Sequence, residues 1–430
     1  MSCAACGAQR GAIRLAPRSQ EAALGPARSA AAIPLVLRPT GEPATTYGLR
    51  SPWLPWGAEV ALARALEEAA REAAVAPVPV DREAAQSARE VCRGLPGQGP
   101  PSATLLEFAL RAHGLIEPLP DVVAVDWPEA QPAAAAAALQ GRLTELLARS
   151  RYTRAGLALC RPLGQPARPR AVALLLESAV GIEPVPRAMA EGQRARLRFT
   201  RRRPGPALEL TVTSPAGTVN NVSLQPREGG YEGLVACAQR GRYRIEITSE
   251  GLYGEEVLAN FPLECAGEPP DALALPRDVD LSLPAPGGAP TAQQLEAELL
   301  RLTNALRLRA GQAALPPDER LAGVARKHAQ DMLAQGYVGH LAPRYGGPVE
   351  RLRRAGLACA VVRENVARGY AVEETVRELA DSPGHRRNLL ADDVTALGSG
   401  VAIDAHAQPP VLFVAQLFAG GPCTGVAAAR

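Results

Sequence analysis

Two histidines and one glutamate near the C-terminus of this 430-residue chain have side chains that could do chemistry. His340 follows a predicted helix, Glu364 follows a predicted strand, and His385 opens another predicted helix. Two neutral imidazoles and a carboxylate with one open position form a known zinc arrangement. The same groups could instead transfer protons near neutral pH, or the glutamate could orient a metal-bound histidine. Asn365 and Ser382 are further candidate ligand-binding residues.

A purely structural role is the alternative for these residues, and spacing alone favours it. His385 and Glu364 could hydrogen-bond to nearby backbone groups. No serine or cysteine is marked as a nucleophile, because Ser382 precedes a proline and suits the N-cap of a helix. The other three histidines are expected to be structural: His328 in the core, and His113 and His406 exposed at a helix end and on a hairpin.

Length and composition describe a multidomain chain and exclude several functions. The length predicts roughly two to four domains. The net charge of +3 is too small to predict nucleic-acid binding. The 40 glycines and 40 prolines indicate linkers and tight turns. No stretch approaches the ~20 consecutive apolar residues of a membrane-spanning helix.

Changes in hydrophobic pattern divide the chain into five parts. Short alternating runs separated by Pro-Gly and Gly-Gly turns predict the central β-sandwich. The motif Thr291-Ala-Gln-Gln294 is a helix capping box that opens the last part. The predicted parts are a leader or linker (1–50), an α/β domain (51–188), an Ig-like sandwich (190–268), a proline-rich linker (269–290) and an α/β domain (291–422).

The first and last α/β domains share an outline that indicates an internal repeat. The segment around Gly156 mirrors that around Gly398, and each is followed by a proline-containing turn and a second apolar strand. In the first copy His340 has no counterpart, Arg142 falls near the position of His385, and Asp126 lies loosely near that of Glu364. The first copy is therefore expected to keep the scaffold, lose the site, and serve in packing or partner contact.

Eight cysteines fall in an order that suggests pairs within domains. Buried free thiols are the alternative, because connectivity cannot be deduced from sequence. The N-terminus has no recognisable signal peptide. If translation begins upstream, Ser2-Cys3 could end a lipoprotein cleavage box with Cys3 acylated. The suggested pairs are Cys92 with Cys160, Cys237 with Cys265, and Cys359 with Cys423.

Several short motifs carry a resemblance to a known family. Residues 291 to about 420 resemble a CAP domain, the family of cysteine-rich secretory, antigen 5 and pathogenesis-related 1 proteins, in its bacterial form. The resemblance implies an α-β-α sandwich with a surface cleft lined by His340, Glu364 and His385. The matching pieces are Asn304 to Gly311, Tyr337 to His340, Glu364-Asn365 with Gly369, Ser382-Pro-Gly-His385-Arg with Asn388-Leu-Leu390, and Gly398 with Gly400.

Three positions depart from the eukaryotic members of the family. Ser382 stands where those members have a second glutamate. Their second cleft histidine falls near Phe413, and a frequent tryptophan is Leu379 here. The resemblance therefore implies an incomplete acid–base set.

The sequence predicts an α+β multidomain protein that is extracellular or in the cell envelope, with three candidate functions. The first is a secreted or surface protein whose cleft binds a divalent metal, with zinc as the candidate, or a small ligand such as a lipid. The second is a metal-assisted hydrolase of peptide or cell-wall material, with His340, Glu364 and His385 as metal ligands or as acid and base. The third is a structural or adhesion protein that contacts a cell-surface component and keeps a vestigial cleft.

Overall fold

The structure of the protein is a computed structural model. It describes residues 35–96, 101–118, 120–148, 152–202, 205–251, 254–275, 290–405, 410–421 and 423–425. Cys3 and His406 lie outside the described residues, so the acylation of Cys3 and the exposure of His406 stay predictions.

The first and last parts of the chain contain both helices and strands, and strands alone fill the middle. The described helices are α1 (Glu59–Glu72), α2 (Arg82–Gly94), α3 (Ala103–Ala112), α4 (Pro132–Leu147), α5 (Ala292–Arg309), α6 (Glu319–Gln335), α7 (Pro348–Arg354), α8 (Val372–Asp381) and α9 (Pro383–Leu389). This mixed α/β character agrees with the predicted fold class.

The strands of the first half are β1 (Leu35–Leu37), β2 (Thr46–Tyr47), β3 (Asp121–Asp126), β4 (Arg154–Cys160), β5 (Arg170–Leu176), β6 (Val180–Ile182), β7 (Val185–Pro186), β8 (Ala188–Met189), β9 (Arg194–Arg201) and β10 (Leu208–Thr213). Those of the second half are β11 (Val219–Val222), β12 (Gln225–Arg227), β13 (Gly230–Ala236), β14 (Gly241–Gly251), β15 (Gly254–Cys265), β16 (Leu273–Leu275), β17 (Leu357–Ala358), β18 (Val361–Gly369), β19 (Ala396–Asp404), β20 (Val411–Gly420) and β21 (Thr424–Gly425).

The C-terminal sheet lies between two layers of helices. Its strands are antiparallel, in the order β18-β20-β19. Because side chains alternate along a strand, the side chains of β20 point to both faces of the sheet. Phe413 and Leu417 pack with Ala325 of α6. Val414 packs with Leu299 of α5 on the other side. The three layers thus place β18, at one edge of the sheet, within reach of helices from both sides.

Local signals explain where the two long helices of this region begin and end. Thr291 and Gln294 form the predicted capping box at the start of α5. The Asp318 side chain accepts the first free N–H groups of α6. Helix α6 ends at Gly336, whose φ of 69° is left-handed and suits glycine.

Two antiparallel sheets form the central sandwich. Their strand orders are β11-β10-β14-β15-β8, with only the β15–β8 pair parallel, and β12-β13-β9-β6. Leu197 and Phe199 of one sheet pack with Ile245 and Phe261 of the other, and all four are buried. The alternating runs from which the sandwich was predicted, at 196–199, 209–212 and 242–247, lie within β9, β10 and β14.

The first α/β unit also has a three-stranded antiparallel sheet with helices on both faces. Its order is β3-β5-β4, so the last strand lies between the first two, as in the C-terminal sheet. Leu62 of α1 and Leu139 of α4 pack on one face. Val91 of α2 and Leu106 of α3 pack on the other.

Two stretches predicted as leader and linker contain ordered strands. Strand β1, within the predicted leader, pairs with β16, within the predicted linker. Tyr47 is buried in the sandwich core, with its ring centroid 4.7 Å from that of Phe261. Each of these two stretches therefore contains short strands that the sequence did not predict. Strands of two or three residues are too short to leave a periodic pattern in the sequence.

The three predicted disulfide pairs are confirmed. They join Cys92 to Cys160, Cys237 to Cys265, and Cys359 to Cys423. In the described part of the chain, no helix is long and apolar enough to cross a membrane.

The first and last α/β units contact each other directly. Arg368, near the end of β18, forms an ion pair with Asp121 of β3. Glu374 of α8 accepts the backbone N–H of Ala103, at the start of α3, at 2.8 Å. The two units therefore contact each other through polar groups at the ends of helices and strands and through Tyr370, which packs against the core of the first unit.

Gly398 is required where α6 crosses the sheet, because a Cβ there would overlap the backbone of Leu321 and Ala322. We expect Gly398→Ala to lower the free energy of unfolding by about 1–3 kcal/mol. Gly323→Ala is the control: nothing lies within 4 Å of its Cβ position, and alanine in a helix should stabilise by about 0.5–1 kcal/mol. Denaturant midpoints check both, and an unchanged midpoint for Gly398→Ala would show that the helix and sheet are not in close contact.

Candidate functional site

Glu364 lies in the middle of β18, not after a strand as predicted. It pairs with Leu417 on β20, and Asn365 pairs with Gln416. Neighbouring strand residues point to opposite faces of a sheet. Glu364 therefore faces the side of α6 and α7, whereas Asn365 faces the side of α5 and α9. The two adjacent candidates do not point into one site.

The Glu364 carboxylate is buried and binds two cationic or polar partners. Its Oε2 accepts a hydrogen bond from Nδ1 of His340 at 2.9 Å. Its Oε1 forms an ion pair with the Arg351 guanidinium of α7. The side chains of Glu364 and Arg351 are only 1% and 5% exposed, so both charges lie in a low-dielectric setting.

The environment keeps Glu364 ionised. Burial by itself raises the pKa of a carboxyl, but the hydrogen bond from His340 and the charge of Arg351 outweigh it. The pKa of Glu364 therefore lies below its ordinary value. The carboxylate is a fixed negative charge at neutral pH, and Arg351 compensates it.

The same hydrogen bond fixes the His340 ring. Since a carboxylate only accepts, Nδ1 must carry the proton, and in the neutral imidazole Nε2 then carries a lone pair. The His340 side chain is 23% exposed, so part of the ring reaches solvent. His340 thus presents an oriented acceptor, the usual consequence of a carboxylate behind a histidine.

Sequence reasoning missed Arg351. Besides its ion pair, its Nη1 donates to the carbonyls of His340 and Gly346, each at 2.7 Å. One guanidinium therefore joins α7, the loop that carries His340, and β18. The sequence does not distinguish Arg351, because it stands among other arginines in Pro348–Arg354 and resembles part of a solvated helix face.

His385 is half-buried on α9 and lies near His340. Burial, and secondly the His340 ring, lower the pKa of His385 to about 4. Within the described part of the chain, no hydrogen bond to the His385 ring is found. His340 is bonded to Glu364 and lies close enough to His385 to affect its titration, and His385 is neutral above about pH 5.

Asn365 is fully buried and belongs to an amide network. Its Oδ1 accepts from Asn388 Nδ2 at 2.9 Å, and its Nδ2 donates to the His385 carbonyl at 3.3 Å. Asn388 also donates to the Glu364 carbonyl at 2.8 Å. Asn365, predicted as a ligand-binding residue, therefore holds α9 against β18 and binds the backbone carbonyl of His385.

Ser382 does not cap α9 with its side chain, although it occupies the N-cap position. Its hydroxyl instead donates to Glu246 of β14, at 3.1 Å from Oε1. Both residues are buried. Ser382 thus stands at the predicted N-cap position, but its side chain makes no capping hydrogen bond and is instead turned toward the Glu246 carboxylate.

The residues do not fit the predicted three-ligand zinc site. Among the described residues, no group of three or more His, Cys, Asp or Glu side chains is arranged to hold a metal ion. Both oxygens of Glu364 are already bound, one by His340 and one by Arg351. Ligation through Oε1 would compete with the buried Arg351 for its counter-charge, which is strongly unfavourable, and ligation through Oε2 would compete with the His340 hydrogen bond.

The two other described histidines are buried. His328 Nε2 donates to the Gly339 carbonyl at 2.9 Å, and burial lowers the pKa of its ring. It is a core residue, as predicted. His113 is only 1% exposed and lies 3.8 Å from Glu90, so its predicted exposure was wrong. The end of α3 is covered by neighbouring elements, which its own sequence does not reveal.

The C-terminal part of the chain is similar to known proteins. Residues 300–418 match the family described as "CAP: Cysteine-rich secretory protein family". The chain is 37% identical over 106 residues to "Uncharacterized protein YkwD" of Bacillus subtilis strain 168, an alignment that covers 24% of this chain and 41% of that protein. It is 36% identical over 107 residues to "Uncharacterized membrane protein YlbC" of the same strain, covering 25% of this chain and 31% of that protein.

The chain spans less than half the length of these two curated relatives. A solved structure of an extracellular protein containing an SCP domain from Bacillus anthracis shares 22% identity, covers 43% of this chain and 66% of its own, and has a TM-score of 0.29. The family match confirms the resemblance seen in the motifs: residues 300–418 are a CAP domain.

Glu364→Gln should destabilise the protein, because it leaves the buried Arg351 without a counter-charge. We expect a loss of about 3–5 kcal/mol in the free energy of unfolding, measured by denaturant titration. Glu350→Gln is the control, because Glu350 is exposed on α7, the helix that carries Arg351. This substitution should change the free energy of unfolding by less than about 0.5 kcal/mol. Equal stability of the two variants would contradict a buried ion pair.

His385 should make stability depend on pH. Its folded pKa of about 4 lies below the ordinary value of 6.5, so the unfolded chain takes up the proton first as pH falls. The free energy of unfolding is therefore independent of His385 protonation above about pH 6.5, and it decreases as the pH falls from 6.5 to 4. We expect denaturant midpoints of His385→Gln to fall less than those of wild type across this range. Parallel curves for the two proteins would refute the depressed pKa.

Proposed function

We propose that the CAP domain is a ligand-binding domain and that His340 and His385 contact the ligand. The carrying observation is the buried unit of His340, Glu364 and Arg351, which orients an imidazole with its lone pair outward. Burying a carboxylate is costly, and what this arrangement provides is a fixed orientation of the partly exposed His340 ring.

The charges of the site favour a neutral ligand. At neutral pH Glu364 and Arg351 compensate each other, and the depressed pKa of His385 keeps that imidazole uncharged. His340 offers a lone pair on Nε2. A ligand hydroxyl, amine or amide N–H can donate to this acceptor without any need for a formal charge.

Apolar side chains around His340 favour a ligand with an apolar part. Val338, Leu341, Tyr345 and Val349 are each about two-fifths exposed. They lie in the loop and helix that Arg351 ties together around His340. Exposed apolar side chains together with a few oriented polar groups are the usual composition of a small-molecule site. We therefore propose a neutral amphiphile, a class that includes lipids.

A hydrolase is the second candidate, and one observation favours it. The His340–Glu364 hydrogen bond has the geometry of a general base held by an orienting carboxylate. His340 Nε2 could then take a proton from water that attacks a peptide or cell-wall substrate. We derive no step through zinc, because Glu364 is committed to its two partners.

We propose a location outside the cytoplasm, in the cell envelope or beyond it. Three disulfides support this proposal, because such bonds persist in oxidising compartments. A contact with other cell-surface components through the sandwich or the first α/β unit is the remaining structural alternative.

We also propose that the first α/β unit, residues 51–188, is a degenerate CAP-like domain. In each unit an aspartate caps the helix that crosses the sheet, and the residue before it bridges in parallel to the second strand: Val80 to Ala155, and Pro317 to Leu397. In each unit the next strand residue is a glycine, Gly156 or Gly398, whose Cβ would overlap that helix. Shared topology alone would not require these details.

The cross-strand register of the two sheets indicates which residue of the first unit corresponds to Glu364. The two corresponding glycines pair with Leu174 and Leu417. Opposite Leu174 on β3 is Val122, and opposite Leu417 on β18 is Glu364. Val122, and not Asp126 as predicted from sequence, therefore occupies the position of Glu364. An apolar residue there supports the proposal that the copy keeps the scaffold without the site.

The ligand proposal is tested with N-phenyl-1-naphthylamine, a neutral aromatic amine whose fluorescence rises in apolar surroundings. We expect saturable binding that His340→Ala weakens by about three- to tenfold, the equivalent of one hydrogen bond. Leu341→Ser should also weaken it, whereas Leu308→Ser, an equally simple change at an exposed leucine of α5, should not. Equal binding by all four proteins would reject the site.

A parallel titration with zinc chloride by calorimetry checks the electrostatic argument. We expect that His340 and Glu364 do not together form a stoichiometric zinc site. Such binding, lost in His340→Ala and in Glu364→Gln, would overturn the metal-free interpretation. Release of peptide or muropeptide fragments that depends on His340 would favour the hydrolase.

A further inference from the structure

Helix α9 carries His385 and is too short to be stable alone. It has seven residues, about two turns, and isolated helices of this length are not stable in water. At its start, the Ser382 hydroxyl does not cap the helix. The orientation of His385 must therefore come from what α9 is packed against.

One support of α9 comes from within the CAP domain. Asn365 donates to the His385 carbonyl, and Asn388 donates to the Glu364 carbonyl. These bonds hold the middle and the end of α9 against β18. They do not reach Ser382, where the chain turns from α8 into α9.

The other support comes from the sandwich. Glu246 is 2% exposed and accepts the Ser382 hydroxyl at 3.1 Å on Oε1 and 3.4 Å on Oε2. Two residues earlier on the same face of β14, Arg244 forms an ion pair with Asp381 at 3.1 Å. Next to His385, the Arg386 side chain lies beside Gly217 in the turn between β10 and β11. Three contacts of the sandwich thus surround the α8–α9 junction.

Arg244 also shows that this face of the sandwich is not a free surface. Its Nη1 pairs with Glu107 of α3 at 3.1 Å while its Nη2 pairs with Asp381. The outer face of β14 therefore joins the first α/β unit, the sandwich and the CAP domain at one place.

We propose that Glu246 is a positioning residue of the ligand site: by holding Ser382, it sets the start of α9 and hence the orientation of His385. The sandwich is then part of the CAP site and not an independent spacer. The functional meaning of this inference rests on the proposed ligand site, but its structural content does not require a ligand.

The test uses the full-length protein labelled with ¹⁵N and ¹³C at histidine. The chain has five histidines, so each imidazole can be followed, and the His385 signal is the one missing from His385→Gln. We expect Glu246→Ala to shift the His385 ring resonances and leave those of His113, in the first α/β unit, in place. Glu246→Gln should restore the wild-type position, since its amide oxygen still accepts the Ser382 hydroxyl.

Glu209→Ala is the control, because Glu209 is an exposed glutamate on the same sheet. Wild-type His385 resonances in folded Glu246→Ala would overturn the proposal, and so would equal shifts of His113 and His385, which indicate a global change. If Glu246→Ala does not fold, Ser382→Ala removes the same hydrogen bond and is judged by the same outcomes. These spectra are recorded without ligand, so failure of N-phenyl-1-naphthylamine to bind would reject the proposed function and leave this result intact.

Discussion

The buried Glu364 carboxylate is the constraint around which the C-terminal domain is arranged. An ionised group at 1% exposure is tolerated only with a counter-charge and hydrogen bonds. Arg351 supplies the charge and His340 the bond, and each comes from a different segment. Arg351 also binds two carbonyls of the loop that carries His340. One charge thus holds β18, α7 and this loop in a single arrangement.

The site is divided between the two faces of one strand. Glu364 acts on the α7 side, while Asn365 secures α9 on the other side through Asn388. His340 and His385 therefore approach each other around the edge of the sheet, each held by its own network. Because α9 also rests on Glu246 of the sandwich, the geometry of His385 depends on contacts across a domain boundary.

Comparison of the first α/β unit with the CAP domain distinguishes residues shared by both sheets from residues found only at the candidate site. Both units have a glycine where a helix crosses the sheet, and both have an aspartate cap on that helix. The register puts Val122 and Val123 where the CAP domain has Glu364 and Asn365. Valine pairs fill the space by apolar packing alone. A sheet of this kind can therefore form without the polar pair, whereas in the CAP domain that pair ties β18 to α7 and to α9.

The sequence alone predicted the family and the mixed α/β class, suggested the disulfide pairs with free thiols as the alternative, and named His340, Glu364 and His385 as candidate site residues. These follow from local signals: helix caps, alternating strands, cysteine order and short motifs. It could not assign the roles of Asn365 and Ser382, or find Arg351 and Glu246. Those depend on which face of a strand a residue occupies and on partners from distant segments. Burial turns an ordinary surface-like arginine into a required counter-charge, and only the tertiary structure decides what is buried.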